Sequence, residues 1–288
     1  MEKSEKRMRS RSEKIVLAVV FVVFMIYAVS LFVPFLWAFI SSLKTDDEYF
    51  EKVFAWPKQW LFGNYIKAFK EFEVNGTTFL GMFGNSLWLT VAGTFISIMV
   101  TSMTAYTIAK YDFKGNKFIY RLAIFIMVIP IVGNLPAQYK LITTLNINNP
   151  IGILLLYTGG FGMNFIILHG TYRSISWNYA EAAFIDGATN FRVMYQIMIP
   201  QAVPAIASLM ILNLIGGWNN YSTSMLYMKS YPNLALAIYL FDKESQFAET
   251  GTPVYLAVIV LSILPILAVF ITCQKMIMTN VTAGGLKG

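Results

Sequence analysis

The chain has 288 residues, of which 57% are apolar and 13% are charged, and its formal net charge is +7. With a mean hydropathy of +0.58, this composition argues against a soluble protein and indicates that most of the chain lies in lipid. One cysteine, Cys273, cannot form an intramolecular disulfide, and with a single histidine, His169, the chain alone cannot assemble a zinc or iron–sulfur site.

Long apolar segments divide the chain. A helix needs roughly 20 residues to cross a bilayer. Six segments reach this length and are predicted to span the membrane: 15–40, 84–109, 118–138, 151–170, 204–224 and 254–276. The first is too long to be the apolar run of a cleaved signal peptide. The predicted fold class is an all-α integral membrane protein with six transmembrane helices, a basic N-terminus (1–14), an outer loop (41–83) and a C-terminal tail (279–288).

The basic residues set the predicted orientation. If the N-terminus lies inside the cell, the inner segments hold 14 basic and 6 acidic residues, whereas the outer segments hold 8 basic and 9 acidic residues. Basic residues in short loops favour the cytoplasmic side of a membrane. Both termini are therefore predicted to be cytoplasmic, and the positive net charge is interpreted as a topology signal rather than a nucleic-acid footprint.

The second apolar segment carries small residues on one helix face. Gly93, Ser97, Thr101 and Ala105 recur at four-residue spacing. Small side chains let the backbones of membrane helices approach closely, and such helices pack in this way without a hydrophobic driving force. This stripe is predicted to be a helix-packing face first and a substrate surface only second.

Amide side chains inside the apolar segments indicate a polar route. The predicted members of one helix face in the fifth segment are Asn213, Gly217, Asn220 and Ser224, and the third and fourth segments add Asn134 and Asn164. An amide in lipid is costly unless it hydrogen-bonds across helices or lines a wet path. Each amide alone fits either role, whereas the set favours a pathway. No charged residue lies in the middle of a predicted span, so coupling to protons or sodium through a buried charge has no candidate.

Residues 171–203 form the longest internal segment predicted on the cytoplasmic side. Within it, NYAEAAFIDG (178–187) predicts a helix of about two to three turns that ends at Gly187, because glycine adopts the left-handed conformation that follows many helices. Glu181 lies early in this helix, where a carboxylate complements the helix dipole. The chain then leads to Pro200 and Pro204, which are predicted to start the fifth span. An ordinary amphipathic linker is the alternative interpretation of this segment.

The same segment resembles the EAA loop of ABC-importer permeases, which reads E-A-A, three residues, G, nine residues, then I-x-L-P. The matching residues are Glu181, Ala182, Ala183, Gly187, Ile197, Ile199 and Pro200, with Ile199 in place of leucine. EAAFIDGA is similar to the form found in sugar permeases of the maltose-importer type. The resemblance extends to residues 84–115, 162–176 (GMNFIILHGTYRSIS), 215–221 (IGGWNNY) and 279–288 (TNVTAGGLKG), and this ending resembles MalG-like subunits in particular.

The resemblance implies a type I ABC importer permease fold whose core covers 84–278. It implies that the helix at about 178–187 is a coupling helix docked on a separate ATP-hydrolysing subunit. The residues that the resemblance assigns to this coupling are Glu181, Ala182, Ala183, Asp186, Gly187 and Pro200. The implied partners are a second homologous permease that completes a heterodimer, two ATP-binding cassette subunits, an extracytoplasmic solute-binding protein and the lipid bilayer of a bacterial or archaeal cell membrane.

The chain has no phosphate-binding loop of the form G-x-x-x-x-G-K-S/T, and GGLKG near its end shares only the lysine with that motif. It is therefore predicted not to be an enzyme and to hold no metal or other cofactor. ATP and Mg²⁺ would be bound by the partner ATPase subunits.

For a sugar permease, the resemblance implies recognition by stacking and by amide hydrogen bonds. The substrate-pathway candidates are Asn134, Asn164, Asn213, Trp218, Asn219 and Asn220, although the partner permease could hold the whole membrane sugar site. The loop 225–253 is expected to contact the solute-binding protein, and the tail from Thr282 is expected either to touch the ATPase subunits or to be a disordered terminus.

Two alternative functions stay open. One is an ABC permease for another solute, such as glycerol phosphate, a polyamine or an amino acid. The lack of lysine and arginine in the middle of the spans counts against a phosphate-bearing solute. The other is a stand-alone secondary transporter or channel, which would require inverted repeats or a buried ionisable residue and would leave segment 181–200 unexplained.

Overall fold

The computed structural model describes residues 11–128, 134–241 and 251–285. The helices are α1 (Arg11–Ser41), α2 (Asp46–Glu51), α3 (Gly63–Lys70), α4 (Phe79–Lys110), α5 (Asn116–Val128), α6 (Asn134–Thr144), α7 (Met163–Ser174), α8 (Asn178–Ile185), α9 (Asn190–Val193), α10 (Ile199–Trp218), α11 (Ser222–Tyr227), α12 (Leu234–Leu240) and α13 (Thr252–Gly285). A 3-10 helix covers Gly152–Thr158, and a π-helical turn covers Met194–Met198. A two-stranded antiparallel hairpin pairs β1 (Glu73–Val74) with β2 (Thr77–Thr78), Glu73 lying opposite Thr78.

Four helices among the described residues are long and apolar enough to cross a bilayer. They are α1, α4, the continuous helix Asn190–Trp218 that contains α9 and α10, and Thr252–Gln274 of α13. The 3-10 helix and α7 make a fifth span if they are counted together. The helical membrane class is thus confirmed. The third predicted span, 118–138, includes residues 129–133, which lie outside the described residues, so the count of six stays a prediction.

The fourth predicted span, 151–170, is not one straight helix. The 3-10 helix and α7 are bent by 55° relative to each other. Glycines occupy the break, and Gly162 has a φ of +140°, a backbone conformation that side chains with a Cβ rarely adopt. A Cβ on Gly160 would lie 2.8 Å from Oγ1 of Thr104, so the break also brings this backbone against α4.

The fifth predicted span begins and ends earlier than expected. The helix already contains Pro200 and Pro204, rather than starting at the second proline, and it ends at Trp218. Asn220 and Ser224 therefore lie beyond it, and the prediction that they share one helix face with Asn213 is wrong. The reason is local: Oδ1 of Asn220 accepts a hydrogen bond from the Thr223 backbone N–H (3.2 Å), and asparagine competes in this way with a continuing helix.

The chain divides into two compact units, and the described part of the first comprises 11–68 and 251–261. Lys44 in this unit is fully buried, and its ammonium donates hydrogen bonds to the carbonyls of Lys52 and Val53, both at 2.9 Å. Asp46 accepts a hydrogen bond from the backbone N–H of Thr252 (3.0 Å), at the first residue of α13. The hydrogen bonds of the Lys44 ammonium to these two carbonyls offset the cost of burying its charge.

The described part of the second unit comprises 69–128, 134–241 and 262–285, and its core lies where α4 packs on α7 and α10. The predicted small-residue stripe lies at these contacts: Gly93, Thr101 and Ala105 are buried. A Cβ on Gly93 would lie 2.8 Å from Cε1 of Tyr157, so the glycine permits a close approach between α4 and the 3-10 helix. The packing role predicted for the stripe is confirmed.

Candidate functional site: the helix that precedes Gly187

Helix α8 ends in a complete glycine cap. The backbone N–H of Gly187 donates to the carbonyl of Phe184 (3.0 Å), and the N–H of Ala188 donates to the carbonyl of Ala183 (2.9 Å). Gly187 has a φ of +79°, as such a cap requires. The predicted end of this helix is confirmed, and the cap fixes the direction in which the chain leaves α8.

The inner face of α8 is attached to the end of α4. Ala180 is fully buried in the core cluster formed by α4, α7 and α10. Ala183 and Phe184 are half-buried and pack against that cluster. Trp177, which precedes the helix, makes an edge-to-face contact with Tyr111 at a centroid distance of 5.7 Å. Such aromatic pairs stabilise beyond the area that they bury. The helix is therefore held at its first turn as well as at its last.

Two further hydrogen bonds connect α4 with the segment around α8. The ammonium of Lys110, the last residue of α4, donates to the carbonyl of Ile175. The hydroxyl of Tyr111 donates to Oδ1 of Asn190 at 3.2 Å. Sequence reasoning missed Lys110, Tyr111 and Trp177. Two aromatic residues at the borders of apolar segments were the available signal, but nothing in the sequence pairs them.

The outer face of α8 is free within the part of the chain that the structure describes. Glu181, Ala182, Ile185 and Asp186 are exposed, and the Ile185 side chain is 86% exposed. Gly187 is exposed too, and Ala183 is half-buried. An apolar side chain at a helix end, flanked by two carboxylates, is a surface suited to contact with another protein.

A short turn, residues 186–189, joins α8 to the continuous helix Asn190–Trp218. Thr189 caps the N-terminus of α9, accepting from the N–H of Arg192 (3.3 Å), and the chain then stays helical to Trp218. The π-helical turn ends at Met198, two residues before Pro200, which is exposed. Proline has no N–H and its ring collides with the carbonyl four residues before it, and a wider turn relieves that collision. Motion of α8 can thus be transmitted to α10 without a flexible loop.

The structure brings two of the six pathway candidates together. Nδ2 of Asn164 on α7 donates to Oδ1 of Asn213 on α10 at 3.3 Å. Nδ2 of Asn213 donates in turn to the carbonyl of Leu209 at 2.8 Å. Both asparagines are half-buried, so the pair connects two helices and keeps some contact with the surroundings.

The other four candidates lie apart from this pair. Trp218 is buried; its indole N–H donates to the carbonyl of Ser262 (3.0 Å), and its ring contacts Phe83. Asn219 is exposed, Asn220 accepts a hydrogen bond from the Thr223 N–H in the turn before α11, and Asn134 is exposed at the start of α6. Their place in a substrate pathway stays a prediction.

No cluster of potential metal ligands is present among residues 11–128, 134–241 and 251–274. In these ranges no three His, Cys, Asp or Glu side chains are grouped as metal ligands would be. Glu181 and Asp186 both face outward from α8, exposed and without a shared site. The arrangement can serve as a docking surface and a mechanical link.

We expect the two asparagines to be coupled energetically. In a double-mutant cycle on Asn164→Ala and Asn213→Ala, the interaction term in the free energy of unfolding should be about 0.6 kcal/mol, because hydrogen bonds between membrane helices have this average strength. Unfolding of the full chain in detergent measures it. The pair Asn164→Ala and Asn219→Ala is the control, and its effects should add. Additive effects in both pairs would contradict the hydrogen bond.

Comparison with known proteins identifies the class. Residues 97–278 match the family described as binding-protein-dependent transport system inner membrane component. The match covers more than half of the chain, and the chain belongs to this family.

Individual relatives agree over nearly the whole length. The diacetylchitobiose uptake system permease protein NgcG of Streptomyces coelicolor is 28% identical over 285 residues, which cover 96% of this chain and 91% of that protein. The arabinooligosaccharides transport system permease protein AraQ of Halalkalibacterium halodurans is 28% identical, with 81% of each chain covered. Among solved structures, a chain of a bacterial ABC transporter involved in the import of the acidic polysaccharide alginate is 26% identical with a TM-score of 0.78, covering 93% of this chain and 98% of that chain.

Proposed function

We propose that this chain is one of two non-identical permease subunits of an ATP-driven, binding-protein-dependent importer of sugars or oligosaccharides in a bacterial or archaeal cell membrane. The observation that carries the coupling part of this proposal is α8, a short helix with an exposed outer face, fixed by the contact between Trp177 and Tyr111 and by the Gly187 cap. Family membership supplies the kind of partner that such a surface would meet.

In this proposal six helices span the membrane, both termini are cytoplasmic, and α8 docks on an ATP-binding cassette subunit. The docking residues are Glu181, Ala182, Ala183, Asp186 and Gly187, and Pro200 belongs to the joint with the span. Two ATPase subunits bind ATP and Mg²⁺ and approach each other, and the second permease completes the heterodimer. The chain itself contributes no catalytic group.

The mechanism is a shift between two packings of the helix bundle. ATP binding favours the packing in which the α8 helices of the two permeases are drawn together, and hydrolysis releases it. Because α8 is attached to the end of α4 and only the short turn 186–189 separates it from the helix that contains α10, its displacement changes the contacts among the helices that surround the Asn164–Asn213 pair. A solute-binding protein on the opposite side delivers the substrate to the opened cavity.

The substrate class follows from the relatives and the chemistry of the candidate pathway. The relatives are named for the uptake of diacetylchitobiose and arabinooligosaccharides, and a solved neighbour for alginate import. Amides such as Asn164 and Asn213 can exchange their mutual hydrogen bond for bonds to sugar hydroxyls. We propose that Asn134, Asn219 and Asn220 extend this polar route, whereas Trp218 supports it structurally through Ser262.

Co-expression with the products of neighbouring genes tests the function. The chain should co-purify with an ATPase and a second permease, and neutral oligosaccharides bound to the solute-binding protein should stimulate ATP hydrolysis in nanodiscs. Glycerol phosphate, a polyamine and free amino acids are the control solutes. Stimulation by one of these alone would overturn the sugar assignment, and transport by the purified chain without partners would overturn the importer assignment.

A further inference from the structure

A basic cavity of about 390 Å³ lies where the end of α4, the start of α5 and the last turns of α7 meet. Five of its eleven lining residues are charged, and four of these are basic: Lys110, Lys117, Arg121 and Arg173, with the single carboxylate of Asp112. The wall also includes His169, whose ring stacks on Tyr120 at a centroid distance of 4.5 Å. The cavity therefore concentrates positive charge in a concave site that is also partly aromatic.

The four cations have no acidic partner in the described residues. Within 11–128, 134–241 and 251–274, no carboxylate oxygen lies within 4.0 Å of a Lys110, Lys117, Arg121 or Arg173 nitrogen. Like charges gathered around one cavity repel each other, and a bound anion offsets that repulsion. Arginine guanidinium groups bind phosphate oxygens in a bidentate manner, and lysine adds point charges. The wall is thus suited to a phosphate group.

The helix that supplies two of these cations also has an apolar exposed face. Phe118, Leu122 and Phe125 follow each other at i, i+4 and i+7 on α5, and their side chains are 68%, 40% and 60% exposed. Lys117 and Arg121 lie on the adjoining face of the same helix, at i and i+4. A soluble anion would match only the charged part, whereas an anionic amphiphile matches both faces.

We propose that this cavity binds the phosphate headgroup of an anionic phospholipid, with its acyl chains along Phe118, Leu122 and Phe125. Basic pockets between membrane helices bind such headgroups through the same chemistry. The inference needs only this chain and a bilayer, so it stands independently of the transported solute.

The proposed site shares its wall with the attachment of α8. Lys110 donates to the carbonyl of Ile175, and Tyr111 contacts Trp177. A headgroup in the cavity would neutralise the charge beside these contacts and hold the end of α4 against α5 and α7. If α8 has the coupling role proposed above, the bound lipid stabilises the contacts that hold the start of α8 against the end of α4.

Native mass spectrometry of the purified full chain tests the site. Delipidated protein is mixed with phosphatidylglycerol or with phosphatidylcholine of the same acyl chains, and the retained lipid is counted. The wild type should retain phosphatidylglycerol preferentially. The double variant Lys117→Gln/Arg121→Gln should bind it roughly thirtyfold more weakly, since each basic residue contributes a factor of roughly five. Asp112→Asn should retain more of this lipid, because it removes the opposing carboxylate.

The matched control is Lys114→Gln/Arg192→Gln, which removes one lysine and one arginine that are exposed and do not line the cavity. It should bind phosphatidylglycerol as the wild type does. Equal retention of the two lipids by the wild type, or equal losses in the two double variants, would overturn the proposal. Displacement of the lipid by glycerol 1-phosphate would assign the cavity to a soluble phosphate instead. If the cavity variant does not fold, an unchanged Asp112→Asn variant overturns the proposal by itself.

Discussion

Replacing Gly187 with valine should reduce ATP-driven transport by roughly tenfold or more, a loss within the usual range of coupling free energies. Gly187 has a φ of +79°, and a β-branched residue is strained in that conformation by about 2 kcal/mol. No atom lies within 4 Å of a Cβ built on Gly187, so the strain arises from the backbone alone. The chain can relieve it only by opening the cap, which changes the direction in which α8 joins α9.

The measurement is solute uptake by proteoliposomes that contain the complete transporter, together with its ATPase activity. Uptake should fall while ATP hydrolysis either continues without solute control or falls because the ATPase subunits dissociate. Gly187→Asn should keep most of the activity, because asparagine tolerates the left-handed region better than other residues with a Cβ.

Gly76→Val is the matched control for strain in general. Gly76 has a φ of +72° in the β1–β2 turn, and its Cβ position is also open. The substitution imposes a similar backbone cost far along the chain from α8, and uptake should change little. If Gly187→Val left both uptake and ATPase activity unchanged, the coupling role of α8 would be wrong.

Local features of α8 and of the long spans could be predicted from the sequence. A glycine after two helical turns specifies its own left-handed cap, because the preference belongs to the residue itself. The stripe that includes Gly93 and Ala105 was predictable for a similar reason, since spacing along one helix determines which residues share a face.

Features that depend on residues distant in the sequence could not be predicted. Nothing near Trp218 indicates that its indole N–H meets the carbonyl of Ser262, 44 residues later. The contact of Trp177 with Tyr111 likewise joins two segments that the sequence separates. The end of α10 was misplaced for another reason: a helical spacing of amide and small residues continues past Trp218 to Ser224, but Oδ1 of Asn220 accepts from the Thr223 N–H in a turn that interrupts the helix.

Replacing Gly93 with leucine should destabilise the chain by about 3 kcal/mol or prevent its assembly, because overpacking a tight contact costs this much. A Cβ on Gly93 would lie 2.8 Å from Cε1 and 3.0 Å from Cδ1 and Cζ of Tyr157. The tyrosine cannot simply rotate away, since its ring packs against the buried cluster that includes Leu89 and Ile153. The leucine must therefore separate α4 from the 3-10 helix.

Thermal unfolding of the detergent-solubilised chain measures this loss, with Gly84→Leu as the matched control in the same helix. Gly84 is exposed and nothing lies within 4 Å of its Cβ position, so leucine there should stabilise α4 by up to ~0.8 kcal/mol through helix propensity. A lower unfolding midpoint for Gly93→Leu and a higher one for Gly84→Leu would separate the effect of helix packing from that of helix propensity. Similar midpoints for Gly93→Leu and Gly84→Leu would mean that the close approach of α4 to Tyr157 contributes nothing to stability. The small-residue stripe would then have to be explained by movement between the two packings rather than by static contact.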